Sequence, residues 1–536
     1  MKLSSIYSDG MILQRGKDIC IRGTCGSDEK IIVSFSGNTY DALVDTEKAL
    51  WTCMIPAQKE GGPHQITVTS GPQSQTISDV YFGDVFILGG QSNMELPVIW
   101  TTDCAYDEII SADFPLIRQF EVPKIPKFGV KDEILEGGNW VNCDQKHIWN
   151  FSAIGFYFAK YKFLKDGVPV GLVQTAVGGA PVESLMSEEN LRASMGSFED
   201  ELKDSGTCNG DKSKGCLWCY KEKLEKYSDP EYVVKTVESD MERQNSWHQN
   251  VDKNDPGLSG NWMTSWPEEG KDLVFTMPQT FYQTDLETYK GSIWIQKKVS
   301  VPASWCEKRV ELRLGTLIDG DQTYVNGKKV GETGFKYPPR RYFMEPGTLV
   351  AGENTITVRL VIDTNIGGAV EKCPYFLKNG EETISLEGEW KMRLGFKAED
   401  LEGQTFFIWS PTALFNSMLY PIREYSCKAI FFYQGESNCE YPQYYGQLLK
   451  DMVKEWRSLY GNVPFYMAEV TYWLGDGPVY EADPFDAVRD VQRSVISEIP
   501  DGYLIPTYDL GAYNDLHPQN KKDVGLRFLK AFEENM

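Results

Sequence analysis

The run Val85-Phe86-Ile87-Leu88, followed directly by Gly89-Gly90-Gln91-Ser92-Asn93-Met94-Glu95, limits the fold of this chain more than any other stretch. A short unbroken apolar run closed by paired glycines reads as a buried strand emptying into a tight turn, because glycine permits the backbone angles such a turn needs. The turn presents Ser92, just past the carboxyl end of a central strand, where open α/β sheets have their ligand crevice. If a helix starts here, the Ser92 N–H lies at its positive end and can stabilise an oxyanion; an ordinary serine N-cap is the bland reading.

The remaining segments supply partners for that strand. Ser152 reads as the N-cap of an apolar helix from Ala153 to Leu164, and Val168 to Val173 reads as the next strand, so strand, helix and strand imply a parallel sheet. The same pattern resumes late in the chain. Ala429-Ile430-Phe431-Phe432-Tyr433 is a buried strand, and Tyr445, Leu448, Leu449, Met452, Val453 and Trp456 recur at helical spacing. Strands near Val463–Val470 and Tyr503–Tyr508 complete the sheet.

Two stretches are β throughout. Between Ile19 and Val68, short runs separated by glycine turns predict a small β-sandwich, with a hairpin turn at Ser36-Gly37-Asn38. From 271 to 398, strand-like runs and the Asn326-Gly327 hairpin signal predict a second β-domain. The expected organisation is a β-sandwich over 1–78, an α/β domain in two pieces over 79–270 and 399–536, and the β-domain inserted over 271–398. Residues 190 to 270 read as a charged, partly helical excursion. Its Trp247, Trp262 and Trp266 either stack on sugar rings or pack the excursion down.

At 536 residues the chain exceeds one ordinary core. A net charge of −23 excludes reliance on phosphate neutralisation and hence nucleic-acid binding. The same charge means that an anionic ligand must be held by local Arg or Lys. No apolar stretch approaches the roughly 18 residues that span a bilayer, so no membrane partner is expected. The opening residues lack a signal-peptide core, so the expected location is the cytoplasm, with a secretory signal already trimmed as the alternative. The 12 cysteines are dispersed and read mostly as reduced thiols. Only Cys208, Cys216 and Cys219 cluster, and a structural zinc site wants four ligands. No metal or other cofactor is called for.

A serine nucleophile wants a histidine base, and the chain has four: His64, His147, His248 and His517. His64 falls in the amino-terminal sandwich and His248 in the excursion, while His147 precedes the first helix. His517 is best placed, in Asn514-Asp515-Leu516-His517-Pro518 after the last strand, with the Asp515 carboxylate two residues away to orient it. Glu436, in Gln434-Gly435-Glu436-Ser437-Asn438 beyond another strand, is the alternative acid. Gln434 offers an amide for an oxyanion, and Gly178-Gly179 is either an ordinary turn or a second source of backbone N–H.

Taken together these blocks resemble the SGNH (GDSL-like) hydrolases, in the form used by sialate O-acetylesterases and related carbohydrate acetylesterases. The similar segments are Gly90-Gln91-Ser92-Asn93-Met94, the Gly178-Gly179 block, Gln434-Gly435-Glu436-Ser437, Asp515-x-His517-Pro518 and the opening Tyr7 to Arg15. The Gly-x-Ser-x-Gly elbow of α/β-hydrolases is absent, since Met94 takes its last position. The acid-to-histidine spacing is one residue shorter than in other SGNH enzymes.

The resemblance implies a flavodoxin-like SGNH domain carrying an inserted galactose-binding-like jelly roll. It implies an acetyl-enzyme on Ser92, an oxyanion held by the N–H groups of Ser92 and Gly179 with Gln434, and substrate contacts at Gln91, Asn93, Glu95 and Asn416. The implied substrate is an O-acetylated sialic acid, typically 9-O-acetylated. Arg340, Arg341 and Arg423 are the cations offered for its carboxylate. The alternatives are an esterase for acetylated xylan or mannan, a non-catalytic glycan-binding protein, and a glycosidase using Glu183 and Glu436.

Overall fold

The computed structural model describes residues 1–26, 29–195, 226–475 and 480–535. At its centre stand β1 (Gln73–Gly90), β2 (Phe114–Glu121), β3 (Trp140–Cys143), β4 (Val170–Gln174), β5 (Ala429–Tyr433), β6 (Phe465–Ala468) and β7 (Gly502–Ile505). They form one sheet in the order β3-β2-β4-β1-β5-β6-β7. Only the β2–β3 pairing is antiparallel along this path. The chain fills one side of β1 before crossing to the other, so the carboxyl end of β1, between β4 and β5, is the topological switch point where a crevice opens.

The period of two along β1 sorts its side chains between two cores. Phe86 and Leu88 pack with Phe158, Phe431, Phe528 and Phe532 under the helices α1 (Ala153–Asp166) and Lys521–Glu534. Val85 and Ile87 pack on the opposite face with Phe432, Leu448, Met452 and Trp456. The Ser152 hydroxyl accepts the Gly155 N–H at 3.2 Å, capping α1 as its sequence predicts. The helix α2 is Pro230–Asn254, α3 is Pro442–Tyr460, α4 is Asp486–Ile496 and α5 is Lys521–Glu534. All six apolar positions expected along α3 are buried.

Two β-structures are attached to this sheet. In the amino-terminal one, β1 begins as a partner of Gly61–Ser70 and then runs on into the central sheet. The division expected at residue 78 therefore falls inside one continuous strand, which kinks at Asp79 (φ +58°) without ending. Within the sandwich, Ser36 and Gly37 (φ +48° and +77°) make the tight turn between Ile31–Phe35 and Asn38–Asp41.

The second β-structure pairs a six-stranded antiparallel sheet with a four-stranded one around its own core of Ile293, Leu312, Val358, Leu377 and Trp390. Asn326-Gly327, both at positive φ, closes its predicted hairpin.

The end of the excursion belongs to this second structure, not to the first piece of the α/β domain. Arg359 pairs with Asp252 at 2.8 Å and Asp255 at 2.7 Å, and Trp294 Nε1 donates to Asp255 at 3.0 Å. The tryptophans take the packing role. Trp247 Nε1 donates to the Glu399 carbonyl, Trp262 packs against Trp294, and Trp266 Nε1 donates to Asp272. Cys208, Cys216 and Cys219 lie outside the described residues. No disulfide joins the described cysteines, and no described helix is long and apolar enough to cross a membrane.

Gly90 holds φ +117°, and a Cβ there would sit 2.1 Å from the Tyr433 carbonyl oxygen. Gly90→Ala should lower the unfolding free energy by about 3 kcal/mol or more, from strain plus clash. Gly16→Ala, at φ +69° with nothing within 4 Å, should cost only about 1 kcal/mol. Urea denaturation of the two variants checks the difference.

Candidate active site

Ser92 opens a single helical turn, Ser92–Glu95, and the cap position is taken by the extended Gln91. The serine is therefore not the cap. It occupies the first helical position, where the backbone N–H has no partner within the helix. The turn is fixed by β5, since the Gln91 N–H donates to the Tyr433 carbonyl at 2.8 Å. The Gln91 side-chain oxygen accepts the N–H groups of Gly435 and Ser437 at 3.4 and 3.2 Å, so Gln91 clamps two loops together and is buried.

Beside the serine stands the Gly178-Gly179 turn. A Cβ on Gly178 would lie 3.7 Å from the Ser92 Cβ. The Gly178 N–H is held by Glu95, whose other carboxylate oxygen receives Lys124 at 2.5 Å. Gly179 holds φ +73°, with the Trp409 ring 2.5 Å from where its Cβ would be, so only glycine fits. Trp409 fixes the same turn by donating Nε1 to the Gly178 carbonyl at 2.7 Å.

The His517 loop is brought to this turn by Asn93. The Asn93 Nδ2 donates to Glu436 Oε1 at 2.6 Å and to the Leu516 carbonyl at 3.1 Å, while its Oδ1 accepts Lys521 Nζ at 2.8 Å. Lys521 also donates to the Pro518 carbonyl at 2.6 Å. Asp515 accepts the His517 backbone N–H at 2.8 Å, which shapes the loop around the histidine. The His517 ring is buried and meets Tyr337, from the inserted β-structure, edge-on at 4.2 Å.

Burial sets the charges under the site. It drives the Lys521 ammonium down to about 8, against the pull of Asp515 and Glu436. Burial likewise raises Glu436 above the ordinary carboxylate range, with the Asn93 hydrogen bond opposing it.

Several expected roles are corrected by this geometry. Glu436 reaches the histidine loop only through Asn93, since its second oxygen has no hydrogen-bond partner among the described residues. It is a brace beneath the site, not an acid on the imidazole. Gln434 is not an oxyanion donor: it is fully buried, and its Nε2 donates to Asn438 Oδ1 at 2.6 Å and the Ala180 carbonyl at 3.3 Å. Asn93 and Glu95 spend their side-chain polar atoms on holding the loops, and Gln91 spends its side-chain oxygen in the same way. Asn416 ties down the 127–132 segment, donating to the Lys127 carbonyl and accepting at its own carbonyl from Asp132.

Glu183 accepts from Asn438 at 2.9 Å and belongs to the same frame. Of the other histidines, His64 packs between Phe35 and Phe82, His147 bonds Asp144 at 2.8 Å, and His248 lies 3.4 Å from Asp363.

The three arginines offered for a carboxylate are all engaged. Arg340 is fully buried on Asp321, Arg341 bridges Glu311 and the Thr102 carbonyl, and Arg423 pairs with Glu133. Lys521, Trp409 and Tyr337 were not legible as site residues. A lysine at the start of a terminal helix reads as solvated, and the two aromatics come from segments without a motif.

Fold and site together give an open, mostly parallel α/β sheet with a serine turn and a glycine turn at its switch point and a histidine on the last loop. In sequence the chain is similar to proteins named sialate O-acetylesterase. It is 24% identical to the enzyme of that name from Homo sapiens and 26% identical to that from Mus musculus, each over 208 residues. The match takes in 36% of this chain and about 40% of the length of these curated relatives. A carbohydrate acetylesterase from Xanthomonas citri has the same fold, at a TM-score of 0.56 and 18% identity, covering 99% of this chain and 74% of that one. No family model matches the chain.

The raised Glu436 gives a pH test. Its folded pKa lies above its unfolded value, so stability is lost as pH rises between the two, and a constant penalty remains above both. Glu436→Gln keeps an acceptor for Asn93 without the charge. It should therefore raise the urea midpoint at pH 8, and the gain should vanish as pH falls towards 4. Equal midpoints at pH 8 would show that the carboxylate carries no burial penalty.

Proposed function

We propose that this chain is a serine esterase that removes O-acetyl groups from carbohydrates through an acetyl-enzyme intermediate. The reading rests on one observation above all: the Ser92 helical turn, the Gly178-Gly179 turn and the His517 loop meet at the carboxyl end of β1. His517 takes the proton of the Ser92 hydroxyl as its oxygen attacks the acetyl carbonyl. The N–H groups of Ser92 and Gly179 hold the oxyanion, Gly178 being engaged by Glu95. His517 returns the proton to the sugar oxygen, and water then releases acetate by the reverse sequence. Asp515 orients the histidine from two residues away.

The substrate we infer is an O-acetylated sialic acid, 9-O-acetylated in our reading; the names of the curated relatives support the sialic acid and not the position. Acetylated xylan or mannan is the second reading, favoured by the engagement of Arg340, Arg341 and Arg423 in structural pairs. The test is acetate release from both substrate types by wild type, Ser92→Ala and His517→Ala. Each variant should fall by about 10⁴-fold or more on whichever substrate is cleaved. Full activity in Ser92→Ala would overturn the mechanism; release from the neutral glycan alone would replace the substrate.

A further inference from the structure

The carboxylate of Glu95 stands at a point where negative charge opposes a reaction through Ser92. One of its oxygens accepts the Gly178 N–H, and the other receives Lys124 Nζ at 2.5 Å. A Cβ built on Gly178 would lie 3.0 Å from that first oxygen and 3.7 Å from the Ser92 Cβ, so the carboxylate is one residue's width from the serine. An anion this close to a developing oxyanion raises the transition state, and more so where little water is present to screen it.

Lys124 brings the compensating charge from another strand. The Val122 N–H donates to the Gln174 carbonyl at 3.0 Å, which carries the chain beyond β2 alongside the end of β4, and Lys124 follows two residues later. The side chains of Lys124 and Glu95 are 28% and 24% exposed, so solvent screens this pair less than one on the open surface. Lys124 also meets Glu121 at 2.7 Å, but the Glu121 side chain is about half exposed and water shares its charge. Burial opposes the ammonium; Glu95 and Glu121 outweigh it and hold Lys124 above the ordinary lysine range, so it stays charged at neutral pH. Among the described residues no other cation pairs with Glu95.

We infer that Lys124 is a positioning residue of the esterase: by pairing with Glu95 it cancels the negative charge beside the oxyanion while leaving the carboxylate to hold the Gly178-Gly179 turn. The inference rests on the esterase reading and adds to it a residue that acts through Glu95. A tie that merely held the loop after β2 in place would make a different forecast, because its loss would be felt whether or not residue 95 is charged.

The test is a double-substitution cycle of wild type, Lys124→Met, Glu95→Gln and the two combined, read as kcat and KM for 4-nitrophenyl acetate and as the rate of fluorophosphonate labelling at Ser92. Glu95→Gln keeps an oxygen for the Gly178 N–H without the charge. Acylation and deacylation both pass through an oxyanion, so Lys124→Met should lower kcat at least about 10-fold with KM held within about twofold. The same substitution in the Glu95→Gln background should lower kcat less than about threefold, and Lys124→Arg should retain most of the activity. Equal losses in the two backgrounds, or an unchanged kcat in Lys124→Met, would overturn the inference. Urea midpoints show which variants are folded, and Lys124→Gln, run in both backgrounds, supplies the comparison if Lys124→Met does not fold. Wild-type protein that neither hydrolyses the ester nor is labelled at Ser92 would count against the esterase reading itself, and the role of Lys124 falls with it.

Discussion

The carboxamide of Asn93 is where the site is held together. One side chain reaches the loop after β5 through Glu436, the histidine loop through the Leu516 carbonyl, and the last helix through Lys521. These partners lie more than 340 positions away along the chain. Glu436 and Lys521 are buried, so a missing bond would leave a polar group stranded in a low-dielectric interior, where the cost exceeds what the bond itself contributes. The hub therefore fixes the relative position of the serine turn and the histidine loop, and its own charges are compromises with burial. Lys521 sits near 8 and Glu436 is shifted upward.

A second frame surrounds the first. Gln91 clamps the backbone of Gly435 and Ser437, Asn438 joins Gln434 to Glu183, and Ser437 donates to the Gly179 carbonyl at 3.0 Å. The polar residues of the two motifs mostly hold backbone in place. That leaves backbone N–H groups at Ser92 and Gly179, with His517, as the groups suited to chemistry. Such a division is expected where geometry must be kept within a fraction of an ångström.

The sheet was readable because its signals are local. Leu88 followed by two glycines announces the end of β1, and the spacing from Tyr445 to Trp456 announces a helix face that burial reproduces. Ser152 and Asn326-Gly327 carry a cap and a turn in their own chemistry. The domain edge at residue 78 was not readable, because β1 serves two sheets without a breaking residue. Side-chain roles were less legible still. Gln434 has the amide an oxyanion needs, but Asn438, four residues on, takes its hydrogen. Nothing local distinguishes Lys521 from the other basic residues of its helix, and nothing in the β insertion marks Tyr337 as a neighbour of His517.

The central claim is that Ser92 is a nucleophile activated by His517. A fluorophosphonate probe tests it without reference to substrate, because only an activated serine is phosphonylated. The account predicts a single adduct mapped by mass spectrometry to the peptide carrying Ser92, formed by wild-type protein and lost in a folded His517→Ala variant. An adduct on another serine, or undiminished labelling of Ser92 without His517, would contradict it.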